Sequence, residues 1–309
     1  LLTGNQNMSA VIHVKNLFKD FKDIRAVNDL SFSVEEGQVY GFLGQNGAGK
    51  STTIRMLLTL ITPTAGQIEI FGLELHRNRK EILRQTGAIV EKPDMYKYLS
   101  AKENIRLFSR LSGAKVSEKK MEDQLAMVGL ADRMNSKVRT YSQGMKQRLG
   151  LACALVHDPK LLILDEPTNG LDPQGIADMR NMIIHLSKDL GKTLLVSSHL
   201  LSEMEMVADS MLIINKGKKV VEGKVAELIN PVQPIVELIT PDKEAALNFI
   251  QHSDWKHKLK SFTDGTIKME FEKSKIPELT RQLVQQGIAV ESIRPVHSLE
   301  DYFLSQTKE

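Results

Sequence analysis

Nine residues, Gly44-Gln45-Asn46-Gly47-Ala48-Gly49-Lys50-Ser51-Thr52, constrain the fold more than any other stretch. They fit G-x-x-x-x-G-K-S/T, the phosphate-binding loop. An apolar, strand-like run, Val39 to Leu43, enters it, and a helix-like run, Thr53 to Ile61, leaves it. That strand–loop–helix context is the one the motif requires. Its glycines let backbone N–H groups turn inward without Cβ clashes. The helix that follows points its positive end at the phosphates. Lys50 is placed to reach the β- and γ-phosphates, and Ser51 to hold Mg²⁺.

With 309 residues the chain has room for a full core and a second domain. Its 41% hydrophobic and 26% charged content is that of an ordinary soluble globular protein. A net charge of +3 demands no nucleic-acid partner. Cys153, the only cysteine, excludes an internal disulfide framework and a cysteine-based zinc cluster. It sits in the apolar run Leu149 to Val156 and reads as a buried, inert thiol. No apolar stretch approaches the ~18 residues of a membrane span. The longest, Leu149 to Leu164, is broken by His157-Asp158-Pro159-Lys160. Leu1 to Asn7 are polar and patternless, Met8 reads as a start, and no secretory signal is expected. A cytoplasmic protein follows, whose membrane role, if any, comes through a separate partner chain.

Along the chain, Val11 to Leu17 and Leu30 to Val34 read as antiparallel strands, with Phe18-Lys19-Asp20-Phe21 between them. Phe21 is either an exposed ring that stacks on a base or a core-edge residue. Thr62 to Gly66 is a turn, Gln67 to Phe71 a strand, Lys80 to Arg84 a short helix and Gly87 to Glu91 a strand. Ser100-x-x-Glu103 is a capping box that opens a helix ending near Gly113. With the helical Ser117 to Gly129, the region from Leu99 to about Arg139 reads as a helical insert between two sheet-forming regions.

Tyr141-Ser142-Gln143-Gly144-Met145 precedes a helix over Lys146 to His157. Leu161 to Leu164 then read as a buried parallel strand running into Asp165-Glu166. Ligands of open α/β sheets sit at the carboxyl ends of such strands. Asp165 therefore falls where Mg²⁺ would bind and Glu166 where a base would stand, rather than in a solvated turn. Leu171-Asp172-Pro173 lies in a loop before a helix, Ile176 to Leu190. A buried strand, Thr193 to Ser197, follows, and His199 stands just past its end. A histidine there is a surface residue or, at the same sheet edge as Glu166, a catalytic or phosphate-contacting one. Met211 to Asn215 and Lys219 to Glu222 read as a closing hairpin around Lys216-Gly217.

Pro231 and Pro234 mark a boundary. The expected division is 8–230 and 231–309, the latter a small α+β domain with strands at Ile235 to Ile239, Thr266 to Phe271 and Ile288 to Arg294. Its helices are expected over Asp242 to Gln251, Ile276 to Gln286 and Ser298 to Ser305, the last capped by Ser298-x-x-Asp301. His252, Asp254 and His257 match no metal-ligand spacing and read as a solvated loop.

The order of motifs over Met8 to Asn230 resembles the ATP-binding cassette (ABC) ATPases: phosphate loop, Ser-Gln-Gly before a helix, strand ending Asp-Glu, Leu-Asp, then a histidine after a further strand. The resemblance implies an α/β P-loop NTPase cassette. It would have a RecA-like core, an antiparallel β-subdomain and a helical subdomain, followed by the small α+β domain. It implies two cassettes, identical or paired, packed head to tail. Each ATP would lie between one chain's loop and the other's Ser142, Gln143 and Gly144. It also implies adenine stacking by Phe21, water orientation by His199 and a dimer contact at Asp172. An integral membrane permease would be the partner, and the subunit would lie at the cytoplasmic face of the membrane.

The sequence departs from the family pattern in three places. Tyr-Ser-Gln-Gly-Met stands for Leu-Ser-Gly-Gly-Gln, Asn169-Gly170 for the frequent Ser-Ala, and Glu91 for the usual Gln. A glutamate can still ligate Mg²⁺, more strongly than an amide, but adds negative charge beside Asp165 and Glu166. Glu91-Lys92-Pro93 with Tyr96, Leu99 and Glu103-Asn104 is similar to the cassettes of bacitracin- and lantibiotic-type exporters. The closing run Leu299 to Leu304 is similar to the accessory tail of drug- and peptide-exporting cassettes. The other reading of Glu91 is a neutral exchange. Two further function classes stand against this reading. A non-transport cassette ATPase on nucleic acid or ribosomes would carry two cassettes or long coiled coils. A phosphate-loop kinase or GTPase would lack the Ser142 signature and His199.

Overall fold

The computed structural model describes residues 10–91, 93–229, 235–263 and 266–296. Contacts divide the chain into two units, Leu1–Lys224 and Val225–Glu309. The first opens with β1 (Ala10–Phe21), β2 (Ile24–Glu35), β3 (Val39–Leu43), α1 (Lys50–Leu57), β4 (Ala65–Ile70), β5 (Leu73–Glu74), α2 (Arg79–Arg84) and β6 (Thr86–Ile89). Helices α3 (Ala101–Leu111), α4 (Glu118–Met127) and α5 (Gln143–Leu155) follow. The unit closes with β7 (Leu161–Leu164), α6 (Pro173–Lys188), β8 (Thr193–Ser198), α7 (Leu201–Val207), β9 (Ser210–Asn215) and β10 (Lys218–Lys224).

Strands β3, β7 and β8 are buried at every position. A strand with no solvent face needs cover on both sides, the condition of a parallel sheet. All three lie inside a sheet of order β10-β9-β3-β8-β7-β6. It is parallel from β9 to β6, and β10 closes it antiparallel. The carboxyl ends of β3, β6, β7 and β8 therefore open on one edge. In β2 buried residues alternate from Leu30 through Phe32 to Val34, the pattern of a sheet with one wet face. It pairs in the antiparallel order β2-β1-β4-β5. Val14, Leu30 and Phe32 from that sheet join Phe42, Ile54, Ile163 and Leu195 in one core. The region 95–156 keeps a separate core of Ile105, Leu125, Val138, Leu149 and Cys153, in which α5 joins the helical insert expected over Leu99 to about Arg139. Ser100 Oγ accepts from the Glu103 backbone N–H and the Glu103 carboxylate accepts from the Ser100 N–H, the expected capping box.

In the second unit, α8 (Val225–Ile229) precedes β11 (Ile235–Ile239), α9 (Lys243–Gln251), β12 (Leu259–Thr263), β13 (Thr266–Glu270), α10 (Ile276–Gln285) and β14 (Ser292–Val296). The sheet is antiparallel, in the order β12-β13-β11-β14. This βαββαβ order is the ferredoxin-like arrangement. Trp255 and Phe271 meet edge to face, with centroids 5.0 Å apart, in a core of its own.

Several elements differ from the sequence reading. Phe18 to Phe21 belong to β1 rather than to a loop, because Asp20 pairs across the strands with Arg25 at 2.7 Å. Helix α5 starts at Gln143, three residues before the expected Lys146, because Ser142 caps it. Helix α7 and strand β12 were not expected, and β14 starts at Ser292 rather than Ile288. The division by contacts falls at Lys224/Val225, where the sequence reading puts the boundary after Asn230. Met8, Pro231, Pro234, the helix Ser298 to Ser305 and its cap lie outside the described residues.

Candidate nucleotide-binding site

The phosphate loop links β3 to α1, and its glycines are required where other backbone comes close. A Cβ on Gly44 would stand 2.7 Å from the Ile214 carbonyl, and one on Gly49 2.6 Å from the Ala26 carbonyl. Gly49 is also left-handed, with φ 108°, a conformation open to Gly at no steric cost. The Gly44 N–H donates to the Ser198 carbonyl at 3.3 Å, and Gly217 in the β9–β10 turn donates to the Ala48 carbonyl at 2.9 Å. The loop is thus braced from β8 and from the closing hairpin, while Gln45, Asn46 and Gly47 form its exposed tip. Helix α1 receives no side-chain cap and has no acidic residue in its first turn. Its leading N–H groups, Ser51 and Thr52 among them, are left for an anion.

Lys50 is 4% exposed and folds back over this cradle. Its ammonium donates to the Gly44 carbonyl at 2.6 Å and the Gln45 carbonyl at 3.3 Å, and lies 3.2 Å from Glu166 Oε1. Asp165 and Glu166 follow β7 as expected. Asp165 is 1% exposed and accepts from Ser197 Oγ at 2.5 Å. The same Ser197 Oγ accepts from the Glu166 backbone N–H at 2.9 Å. Glu166 Oε2 bonds His199 Nδ1 at 2.7 Å. A carboxylate only accepts, so Nδ1 carries the proton and Nε2 is left for a ligand. Glu166 Oε1 is buried without a hydrogen-bond partner, so the nearby Lys50 supplies charge but not an aligned bond. An orphaned carboxylate oxygen at a phosphate cradle is what an attacking water would satisfy.

The structure thus gathers Lys50, Asp165, Glu166 and His199 at one sheet edge. Glu91 is placed otherwise: its carboxylate pairs with Arg55 of α1 and is 61% exposed. Among the described residues no three His, Cys, Asp or Glu side chains form a metal-holding group. The oxygen donors Ser51 and Asp165 nevertheless suit Mg²⁺, which takes few protein ligands and keeps phosphate and water oxygens.

Ser142 caps α5, its hydroxyl accepting from the Met145 N–H at 3.2 Å, so its own proton stays free to donate. Asp172 caps α6 in the same manner, accepting from Gly175 at 2.9 Å. Ser142, Gln143, Gly144 and Asp172 line one cleft of about 370 Å³ that includes no residue of the phosphate loop. Phe21 is 49% exposed at the tip of the β1–β2 hairpin, with Lys19 Nζ 5.0 Å from its ring centre. Sequence reasoning missed Ser197 and Arg55. The signal for the first was the polar pair Ser197-Ser198 closing an otherwise apolar strand.

The model of the family described as "ABC transporter" matches residues 27–169. The chain belongs to that family, as its ATP-binding, ATP-hydrolysing subunit. It is 43% identical to the bacitracin transport ATP-binding protein BcrA of Bacillus licheniformis, over 96% of this chain and 97% of that protein. It is 42% identical to the lantibiotic transport ATP-binding protein SrtF of Streptococcus pyogenes, over 69% of this chain and 90% of that one. A solved ATP-binding subunit of an ABC transporter is 32% identical with a TM-score of 0.63, covering 71% of this chain and 91% of that one. Among the described residues no helix is long and apolar enough to cross a membrane.

Proposed function

We propose that this ATPase drives the export of an antimicrobial peptide, drug or related compound, with a separate membrane permease at the cytoplasmic face of the membrane. The similarity to BcrA carries this reading, because it runs through both units of the chain. The cassette works as a dimer, identical or paired. In support, the cleft of Ser142, Gly144 and Asp172 contains no residue of its own chain's phosphate loop. A second chain would bring the two halves together, and the free Ser142 proton and the first turn of α5 would meet the γ-phosphate.

In this reading Glu166 polarises the attacking water through Oε1, and His199 orients it through Nε2. ATP is held by the loop from Gly44 to Thr52, with Phe21 against the adenine. Mg²⁺, held by Ser51, Asp165 and Glu91, would offset phosphate charge. Lys50 shifts from the Gly44 and Gln45 carbonyls to the phosphates. The cassette spans 8–230 and the accessory domain 231–309.

The test is co-expression with a membrane permease of the bacitracin-transport type, in a host sensitive to bacitracin and lantibiotics. The wild-type pair should raise the inhibitory concentration. Glu166→Gln should abolish that protection and cut hydrolysis by about 10²-fold or more, while ATP binding persists and dimers accumulate. Hydrolysis undiminished in the mutant would sink the mechanism; unprotected cells with an active ATPase would sink the cargo class.

A further inference from the structure

Glu91 differs from the other two acids at the sheet edge in where its carboxylate is held. The Asp165 carboxylate is held by Ser197 and the Glu166 carboxylate by Lys50 and His199, all within the site, whereas the Glu91 carboxylate pairs with Arg55, further along α1. Ser51 and Arg55 are four residues apart on α1, so they share one face of the helix a turn apart, about 5–6 Å. The backbone of Glu91 lies two residues beyond Ile89, whose carbonyl accepts from the Asp165 N–H at 2.8 Å. Its carboxylate can therefore be exchanged between Arg55 and the neighbourhood of Ser51 and Asp165 by a shift of about one helical turn. The two compete for it, because a guanidinium and a divalent cation on one carboxylate repel each other. Glu91 is also left-handed, with φ 60°, a conformation that non-glycine residues hold when their surroundings fix it.

We propose that Arg55 is a positioning residue that parks Glu91 away from the metal seat, so that the Arg55–Glu91 pair sets how much Mg²⁺ the subunit needs to take up nucleotide. This rests on the reading of Glu91 as an Mg²⁺ ligand. The pair is exposed on both sides, 41% and 61%, so it is a latch of modest strength that nucleotide and metal can open. Its release also reaches beyond the site. Pro93 follows two residues later, and a Cβ on Gly150 of α5 would stand 2.6 Å from the Pro93 Cβ. Val90 and Pro93 line a groove of about 920 Å³ together with Gly150 and Cys153 of α5. The helix that Ser142 caps therefore packs against the segment that Arg55 restrains.

The experiment is calorimetric binding of a non-hydrolysable ATP analogue at graded Mg²⁺, read as the Mg²⁺ concentration at half-maximal affinity. Wild type, Arg55→Gln, Arg55→Lys, Glu91→Gln and the double variant Arg55→Gln/Glu91→Gln are compared, with folding checked by circular dichroism. Arg55→Gln should lower the midpoint by roughly two- to five-fold, the range of an exposed ion pair. Arg55→Lys should stay near wild type, and Glu91→Gln should raise the midpoint. The double variant should match Glu91→Gln alone. High salt should bring wild type toward Arg55→Gln by screening the pair. An unshifted midpoint in Arg55→Gln, with Glu91→Gln still shifted, overturns the latch and leaves Glu91 as a ligand. An unshifted Glu91→Gln overturns the ligand reading and the latch with it. A shift by Arg55→Gln of equal size with and without Glu91 shows that Arg55 acts elsewhere and also overturns the proposal.

Discussion

Ser197 Oγ is the smallest group on which the site depends. It donates to the buried Asp165 carboxylate and accepts from the Glu166 N–H, so one hydroxyl fixes the positions of both acids. Ser197→Ala leaves two buried groups short of a partner, which costs about 1–3 kcal/mol each at most. We expect a lower denaturant midpoint together with reduced ATP turnover, since the loss also loosens the two acids. Turnover equal to wild type would show that the acids are held without it. The acid pair itself was legible, because Leu161 to Leu164 runs into it without interruption. The position of the Glu91 side chain was not. A sequence names the residue after a strand, but its partner Arg55 is 36 positions away and is fixed only when α1 and β6 are packed.

At the level of elements, the long apolar runs and the caps were legible because each carries its own physical signal. Strand β12, with the sequence LKSFT, is short and half polar and acquires its role only by pairing with β13. The extension of β1 to Phe21 was hidden because Lys19 and Asp20 read as a polar turn, and the strand shows only in the pairing of Asp20 with Arg25 across the hairpin. The link between α5 and β6 makes a pH prediction. His157, just past α5, contacts the Thr86 carbonyl at 3.2 Å through Nε2. Burial lowers its pKa from the ordinary 6.5, the Thr86 bond opposing that in part. Below that ordinary value the unfolded chain takes up the proton before the folded one does. Stability therefore falls as the pH drops from about 6.5 through the lowered value. His157→Gln should flatten this acid limb in urea melts taken between pH 7 and 5; an unchanged slope would assign the limb to other groups.

For the molecule as a whole, each unit has its own hydrophobic core, which is what independent folding requires. Chains ending at Lys224 and at Asn230 separate the two placements of the boundary. We expect the longer chain to bind ATP as the full chain does, measured by fluorescence titration. If α8 belongs with the accessory unit, the shorter chain should bind equally well; if it completes the cassette, the shorter chain should bind more weakly or aggregate. The ferredoxin-like order of the second unit was only partly legible, since two of its four strands were displaced or absent in the sequence reading. The missing cap of α1 has a last consequence for the whole cassette. Its first turn is unfinished as secondary structure, and a phosphate group is the piece that completes it. Nucleotide is then a structural component as well as a fuel. At a free concentration of 100 times its dissociation constant it would add about 2.7 kcal/mol to the folded state. The fold is therefore firmest when the cell is energised and loosest when its ATP runs out.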